Sequence, residues 1–354
     1  MNDRSNVVVV TGASGFIASH IIKNLLETGY RVRGTVRALA KRGYPHLQAL
    51  QHSDRLTLVE ADLHDATAFD DVVRGASAVI HTASPYALHV ADPQRDLVDP
   101  AVHGTRNVLA ACARSDSVER VVLTSSMAAV TDEPEHDSVL TEADWNEHSS
   151  LKRNPYYYSK TLAERAAWEF MDETVPGFDL VVINPYLVIG PSLSPGITPS
   201  NQLFVDLCTG TYPGIMNLTW GFVDVRDVAL AHQRAMEIAT ASGRYLCAGD
   251  PIAMRDVVEL LATLPVATDR LPNRGIDCGI GDFAVKLSSY FQPKGIGSYL
   301  RTHVGRVPRY DTSKIERQLK ITFRPVTSSI ADTIEDLARA GRLATASVAR
   351  ERSA

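Results

Sequence analysis

The segment Asn6–Thr11 reads NVVVVT, an unbroken β-branched run of the kind that forms a strand buried on both faces. Over Phe16–Glu27 the apolar residues Ile17, Ile21 and Leu25 recur at helical spacing, and Gly29 ends the pattern. The same alternation continues along the first half of the chain. Strands are predicted at Arg31–Val36, Arg55–Glu60, Ser77–His81, Arg120–Thr124 and Asp179–Ile183. Helices are predicted at Ala66–Arg74, Val102–Arg114 and Pro155–Met171. Strand–helix alternation of this kind implies an α/β fold in which a doubly wound parallel sheet carries helices on both faces.

After Pro185 the texture changes. Pro191, Pro195, Pro199 and Pro213, with Gly190, Gly196, Gly210 and Gly214, punctuate the chain as far as about Gly221. Loops and short helices are expected there. Asp224–Ile238 returns as a helix and Arg244–Ala248 as a short strand. Pro251 to about Arg309 reads as irregular, and helices near Thr312–Leu319 and Ser328–Ala340 close the pattern. The expected organisation is therefore a nucleotide-binding domain over 1–190 plus about 221–249. A smaller, irregular substrate lobe takes about 191–220 and 250–342, and 343–354 forms a frayed tail.

Composition narrows the function classes. The chain has 354 residues, enough for a substantial core, and a formal net charge of −5. That charge argues against nucleic acid as a partner, because phosphate binding needs a basic face. No apolar run is long enough to cross a bilayer, and no signal peptide is visible at the start, so a cytoplasmic protein is expected. Cys112, Cys208, Cys247 and Cys278 are scattered and form no CxxC pair, and the eleven histidines show no ligand spacing. No metal is expected.

The candidate chemistry begins at Thr11-Gly12-Ala13-Ser14-Gly15-Phe16-Ile17-Ala18, between the first strand and the first helix. Glycines there let the backbone turn tightly and approach a pyrophosphate resting on the helix N-terminus. The second strand then selects the dinucleotide. An acid at its end would bond a ribose 2′-hydroxyl, whereas a base suits a 2′-phosphate. This strand ends Gly34-Thr35-Val36-Arg37, with Lys41 beyond and no acid nearby in the sequence, which favours NADP(H).

Tyr156 and Lys160 lie four apart on a predicted helix and project from one face. A free tyrosine, with a pKa of about 10, is a poor acid near neutrality. A neighbouring ammonium stabilises the phenolate and corrects this. The strand Val121–Leu123 runs into Thr124, Ser125 and Ser126, and one of these hydroxyls can steady a substrate oxygen.

At this point the residues resemble a known family, the extended short-chain dehydrogenase/reductases. Within it they are similar to the group of dihydroflavonol 4-reductases, cinnamoyl-CoA reductases and yeast-type methylglyoxal (aldehyde/ketone) reductases. The motifs VTGASGFIASH (10–20), VRGTVR (32–37), HTASP (81–85), VERVVLTSS (118–126), YYYSK (156–160), INPYLVIGP (183–191) and FVDVRDVA (222–229) carry the resemblance over nearly the whole chain. It implies a Rossmann-type sheet and hydride transfer from a nicotinamide to an aldehyde or ketone.

By position, the resemblance implies Ser126, Tyr156 and Lys160 as the catalytic set. It gives Gly12, Ser14, Gly15, Phe16 and Ile17 to the pyrophosphate, Arg37 and Lys41 to the 2′-phosphate, and Asp62 and Leu63 to the adenine. Thr82, Ala83, Ser84 and Thr124 would line the cofactor, with Lys160 on its ribose and Pro185, Tyr186, Leu187 and Val188 beside the nicotinamide. One departure stands out. The helix asparagine that many family members add to a proton relay is absent from Ala101-Val102-His103-Gly104, where His103 is either a substitute or a helix-packing or surface histidine.

Tyr86, Ser126, Met127, Val130, Thr131 and Tyr156 are the candidate substrate contacts, and residues between Leu193 and Phe222 should form a roof. No dedicated basic cluster marks a CoA phosphate. The expected partner is a small carbonyl or alcohol, with no nucleic acid or membrane, and the chain is expected to be a monomer or homodimer. Two rival readings remain: a nucleotide-sugar epimerase or dehydratase on the same scaffold, and a non-enzymatic NADP sensor.

Overall fold

The structure is a computed structural model that describes residues 6–39, 43–84, 90–134, 138–266, 268 and 270–344. Lys41, Tyr86 and the expected frayed tail from residue 345 onward lie outside these described residues.

Seven strands form the main sheet: β1 (Val7–Thr11), β2 (Arg31–Val36), β3 (Leu56–Glu60), β4 (Ala76–His81), β5 (Arg120–Thr124), β6 (Asp179–Pro185) and β9 (Gly243–Cys247). Their order is β3-β2-β1-β4-β5-β6-β9, and every pairing is parallel. The direction of winding reverses between β1 and β4. That reversal opens a crevice at the carboxyl ends of the strands, where doubly wound sheets take their ligands. Continuous β-branched runs explain the central strands: Val8, Val9, Val10, Val121 and Val122 are all buried, because helices cover both faces.

The flanking helices are α1 (Phe16–Glu27), α2 (Pro45–Gln48), α3 (Asp70–Val73), α4 (Asp99–Ala113), α5 (Pro155–Thr174) and, later in the chain, α7 (Val225–Glu237). One apolar core holds α1 and α7 against one face, through Ile21, Leu25, Val228 and Ala231. A second holds α4 against the other, through Val108, Leu109, Val79 and Val121. The helix expected at Ala66–Arg74 shrinks to α3. Asp65 accepts from the Thr67 amide at 2.9 Å and its hydroxyl at 2.8 Å, and this local turn competes with the first helical turn.

A smaller sheet of three strands, β7 (Leu187–Ile189), β8 (Thr219–Asp224) and β10 (Pro251–Ala253), has the order β10-β8-β7. Around it pack α6 (Pro199–Thr209), α8 (Met254–Thr263), α9 (Gly279–Ser288), α10 (Lys294–His303) and α12 (Val326–Arg339), while α11 (Ser313–Gln318) lies against β9. The stretch from Pro251 to Arg309, read as irregular from the sequence, thus contains three helices. Each is ten residues long, and Gly281 and Gly297 interrupt the pattern of α9 and α10. Glycine weakens a helix signal in a window that short. No helix among the described residues is long and apolar enough to cross a membrane.

Candidate active site

At the crevice between β1 and β4 one hydroxyl links the two strand ends. Thr11 Oγ1 accepts the amides of Thr82 at 3.1 Å and Ala83 at 3.0 Å, so its own proton goes to His81 Nδ1 at 2.7 Å. The Thr82 hydroxyl returns a bond to the Thr11 carbonyl at 2.5 Å. Two strand ends 70 residues apart are thereby pinned side by side. His81 accepts at Nδ1, is buried, and is held neutral, its pKa lowered to about 3 by burial and by the Lys160 charge.

The glycine loop sits on this shelf. Gly12 has φ +67°, and a Cβ there would lie 3.1 Å from Ala83. The Gly12 amide is held by Thr35 Oγ1 at 3.1 Å, and the Ala13 amide by the Thr35 carbonyl at 2.8 Å. Gly15 caps α1 with no side-chain bond, and the first turn of α1 carries no acid. The unpaired amides and positive dipole end of α1 therefore face the crevice as an anion site.

A cleft of about 570 Å³ runs from this loop across the carboxyl ends of β1, β4, β5 and β6. It gathers most of the sequence-predicted residues. Gly12, Ser14, Gly15, Phe16, Ile17, Arg37, Asp62, Leu63, Thr82, Ala83 and Ser84 line one end. Thr124, Ser126, Met127, Thr131, Tyr156, Lys160, Pro185, Tyr186, Leu187 and Val188 line the other. Arg37 is exposed at the cleft edge. The sheet register corrects one expectation: Glu60 stands opposite Val36, so an acid does lie beside the end of β2. Its carboxylate accepts the Leu39 amide at 3.0 Å, and Glu60 is not among the cleft-lining residues.

At the other end, α5 projects Tyr156 half-buried and Lys160 buried. The Lys160 ammonium lies 5.9 Å from the centre of the Tyr156 ring. Burial pulls Lys160 down to about 8, and Glu164, one turn further on, opposes that pull. Ser126 begins a short 3₁₀ turn, Met127–Ala129, with its Oγ accepting the Ala128 amide at 3.1 Å. Thr124 donates to His232 Nε2 at 2.7 Å, because His232 Nδ1–H is committed to the Val228 carbonyl at 2.8 Å.

Two candidates separate from the cleft. Val130 is turned inward by the 3₁₀ turn and packs with Leu140 and Leu246, so it belongs to the core. His103 is exposed on α4, whose buried face is Ala101, Gly104, Thr105 and Val108. Other lining residues include Thr35, Ser125 and Tyr157, which lie within the motifs above, and Ile197, Thr198, Pro199 and Ser200 at the start of α6, which carry no motif signal. The last four fall inside the roof segment expected from the sequence. Thr198 caps α6 by accepting the Asn201 amide at 3.1 Å.

The chain is similar to known proteins. A family model described as the NAD dependent epimerase/dehydratase family matches residues 8–248. Cinnamoyl-CoA reductase CAD2 of Medicago truncatula is 40% identical over 342 residues, covering 94% of this chain and 95% of that protein. Tetraketide alpha-pyrone reductase 1 of Arabidopsis thaliana is 35% identical over 352 residues, covering 98% and 99%. The solved structure of yeast methylglyoxal/isovaleraldehyde reductase Gre2 complexed with NADPH superposes with a TM-score of 0.79 at 32% identity, covering 95% and 99%.

Proposed function

The chain belongs to the NAD dependent epimerase/dehydratase family, among its extended short-chain reductases, and from that premise we propose that it reduces an aldehyde or ketone to an alcohol with NADPH. The observation that carries this reading is the single cleft on which the glycine loop, Arg37, Ser126, Tyr156 and Lys160 all open.

The residues present fit the cofactor. A Cβ at Gly12 would intrude on Ala83, and the end of α1 offers backbone donors with no competing acid. Gly12, Ser14, Gly15, Phe16 and Ile17 would hold the pyrophosphate, Arg37 the 2′-phosphate, and Asp62 and Leu63 the adenosine end. Thr82, Ala83, Ser84, Pro185, Leu187 and Val188 would hold the nicotinamide riboside. When bound, NADPH supplies the hydride.

The remaining work falls to the side chains. Ser126 donates to the carbonyl oxygen of the substrate and orients it. Tyr156 gives its phenolic proton to that oxygen as it gains negative charge. The Lys160 ammonium stabilises the phenolate left behind. The Thr124 proton is committed to His232, so Thr124 serves the site through its lone pairs and its place on the wall. Met127, Tyr157, Tyr186 and Ile197 make the far wall largely apolar, which suits an aryl or alkyl carbonyl. In this reading segments 191–220 and 250–342 form the substrate lobe, with the start of α6 as its roof.

The test is loss of NADPH absorbance across a panel of aryl and alkyl ketones and aldehydes, with NADH in parallel. Tyr156→Phe should lose at least about a hundredfold in kcat, the usual contribution of a positioned acid, while NADPH binding persists. Near-normal turnover in that variant would remove Tyr156 from the proton path.

A further inference from the structure

Beneath the cleft lies a buried charged cluster that the mechanism above does not use. Glu164 is 1% exposed and sits one turn beyond Lys160, so Tyr156, Lys160 and Glu164 share one face of α5. Its carboxylate accepts from Ser125 Oγ at 2.5 Å, Asn184 Nδ2 at 2.7 Å, Arg244 Nε at 2.6 Å and Trp168 Nε1 at 3.4 Å. Asn184 also donates to the carbonyl of Ser126 at 3.3 Å. Arg244 comes from β9. It is fixed by the carbonyls of Glu142 at 3.0 Å and Asp144 at 2.5 Å, and it stacks 3.9 Å from the centre of the Trp145 ring.

One carboxylate thus ties α5 to β5, β6 and β9 directly below the catalytic shelf. Desolvating a carboxylate and a guanidinium is costly, and apolar packing would hold these elements together at least as well. A structural role alone therefore does not explain why the charge is there.

We propose that Glu164 is a positioning residue of the reductase site, holding the Ser125–Ser126 shoulder in place and supplying the counter-charge to the Lys160 ammonium. The proposal rests on the reductase reading given above. The Glu164 charge raises the Lys160 pKa against the larger pull of burial. The other titratable groups around Lys160 are Tyr156 on the same helix, His81 at the end of β4, and Tyr186 on the cleft wall. His81 stays neutral above acid pH, and burial raises Tyr186 far above its ordinary value. Lys160, held near 8, is the group of these that titrates in the neutral to mildly alkaline range. It loses its proton more readily when a nearby negative charge is removed.

The test titrates Lys160 directly, by NMR of the ε-carbon in the full chain labelled at lysine, with Lys160→Arg giving the assignment. In Glu164→Gln the midpoint should fall by about one pH unit or more, and the alkaline limb of kcat for carbonyl reduction should move down with it. NADPH affinity should stay within about twofold. Where Glu164→Gln alone fails to fold because Arg244 is left uncompensated, Glu164→Gln/Arg244→Gln removes both charges and is read in its place. An unchanged Lys160 midpoint in the folded variant overturns the proposal, as does a kcat loss that is uniform across pH. Failure of the underlying reading looks different: the wild-type chain would then turn over no carbonyl, while its Lys160 midpoint would still answer for Glu164.

Discussion

Lowering the pH from 7.5 to 5.5 should destabilise the fold well before its carboxylates titrate. His81, His232 and His303 are buried and are held neutral, at about 3, 4 and 4, against 6.5 for the free side chain. For His81 and His232 the hydrogen bonds agree, since each ring nitrogen facing a threonine hydroxyl acts as acceptor. The sign follows from linkage. The folded pKa lies below the unfolded one, so near pH 5.5 the unfolded chain binds protons that the folded chain refuses. Stability is then complete above 6.5 and is lost as pH falls toward the folded values.

One unit below 6.5, each such histidine costs RT ln 11, about 1.4 kcal/mol, so the three together cost about 4 kcal/mol. Lys160 adds only about 0.2 kcal/mol across this window. Its folded value of about 8 lies below the free 10.5, so its contribution is already lost below pH 8. The histidine cost is a large share of the usual 5–15 kcal/mol of a domain. Urea unfolding at the two pH values, at matched ionic strength, measures it. His303→Gln should remove about 1.4 kcal/mol of the pH dependence whatever it does to absolute stability. A difference below about 1 kcal/mol between the two pH values would refute the neutral-burial argument.

Two further outcomes are expected. Gly12→Ala forces an L side chain into a left-handed φ of +67° against Ala83. The strain of about 1–2 kcal/mol is relieved only by moving the loop, so NADPH binding, followed by fluorescence titration, should weaken about tenfold. Arg37→Ala should raise KM for NADPH far more than for NADH, and an equal effect on both cofactors would remove Arg37 from the 2′-phosphate.

Local pattern alone determined the central strands, helices α1, α4, α5 and α7, the glycine loop and the Tyr156/Lys160 spacing. Each depends on residues within a few positions of one another: a β-branched run, an i,i+4 face, a turn that needs glycine. Helices α8, α9 and α10 escaped because their windows are short and two of them contain glycine, so packing on the smaller sheet decides them. Val130 packs in the core beside the cleft, since closeness in sequence to Ser126 says nothing of direction and a 3₁₀ turn intervenes.

Glu60 came beside β2 only through strand register. The same holds for the shelf and its support. Thr11 meets His81 across 70 positions and Glu164 meets Arg244 across 80, both as buried polar contacts. No periodicity encodes such pairs. They exist because the winding of the sheet carries distant strand ends to one place, where each buried polar group must find a partner.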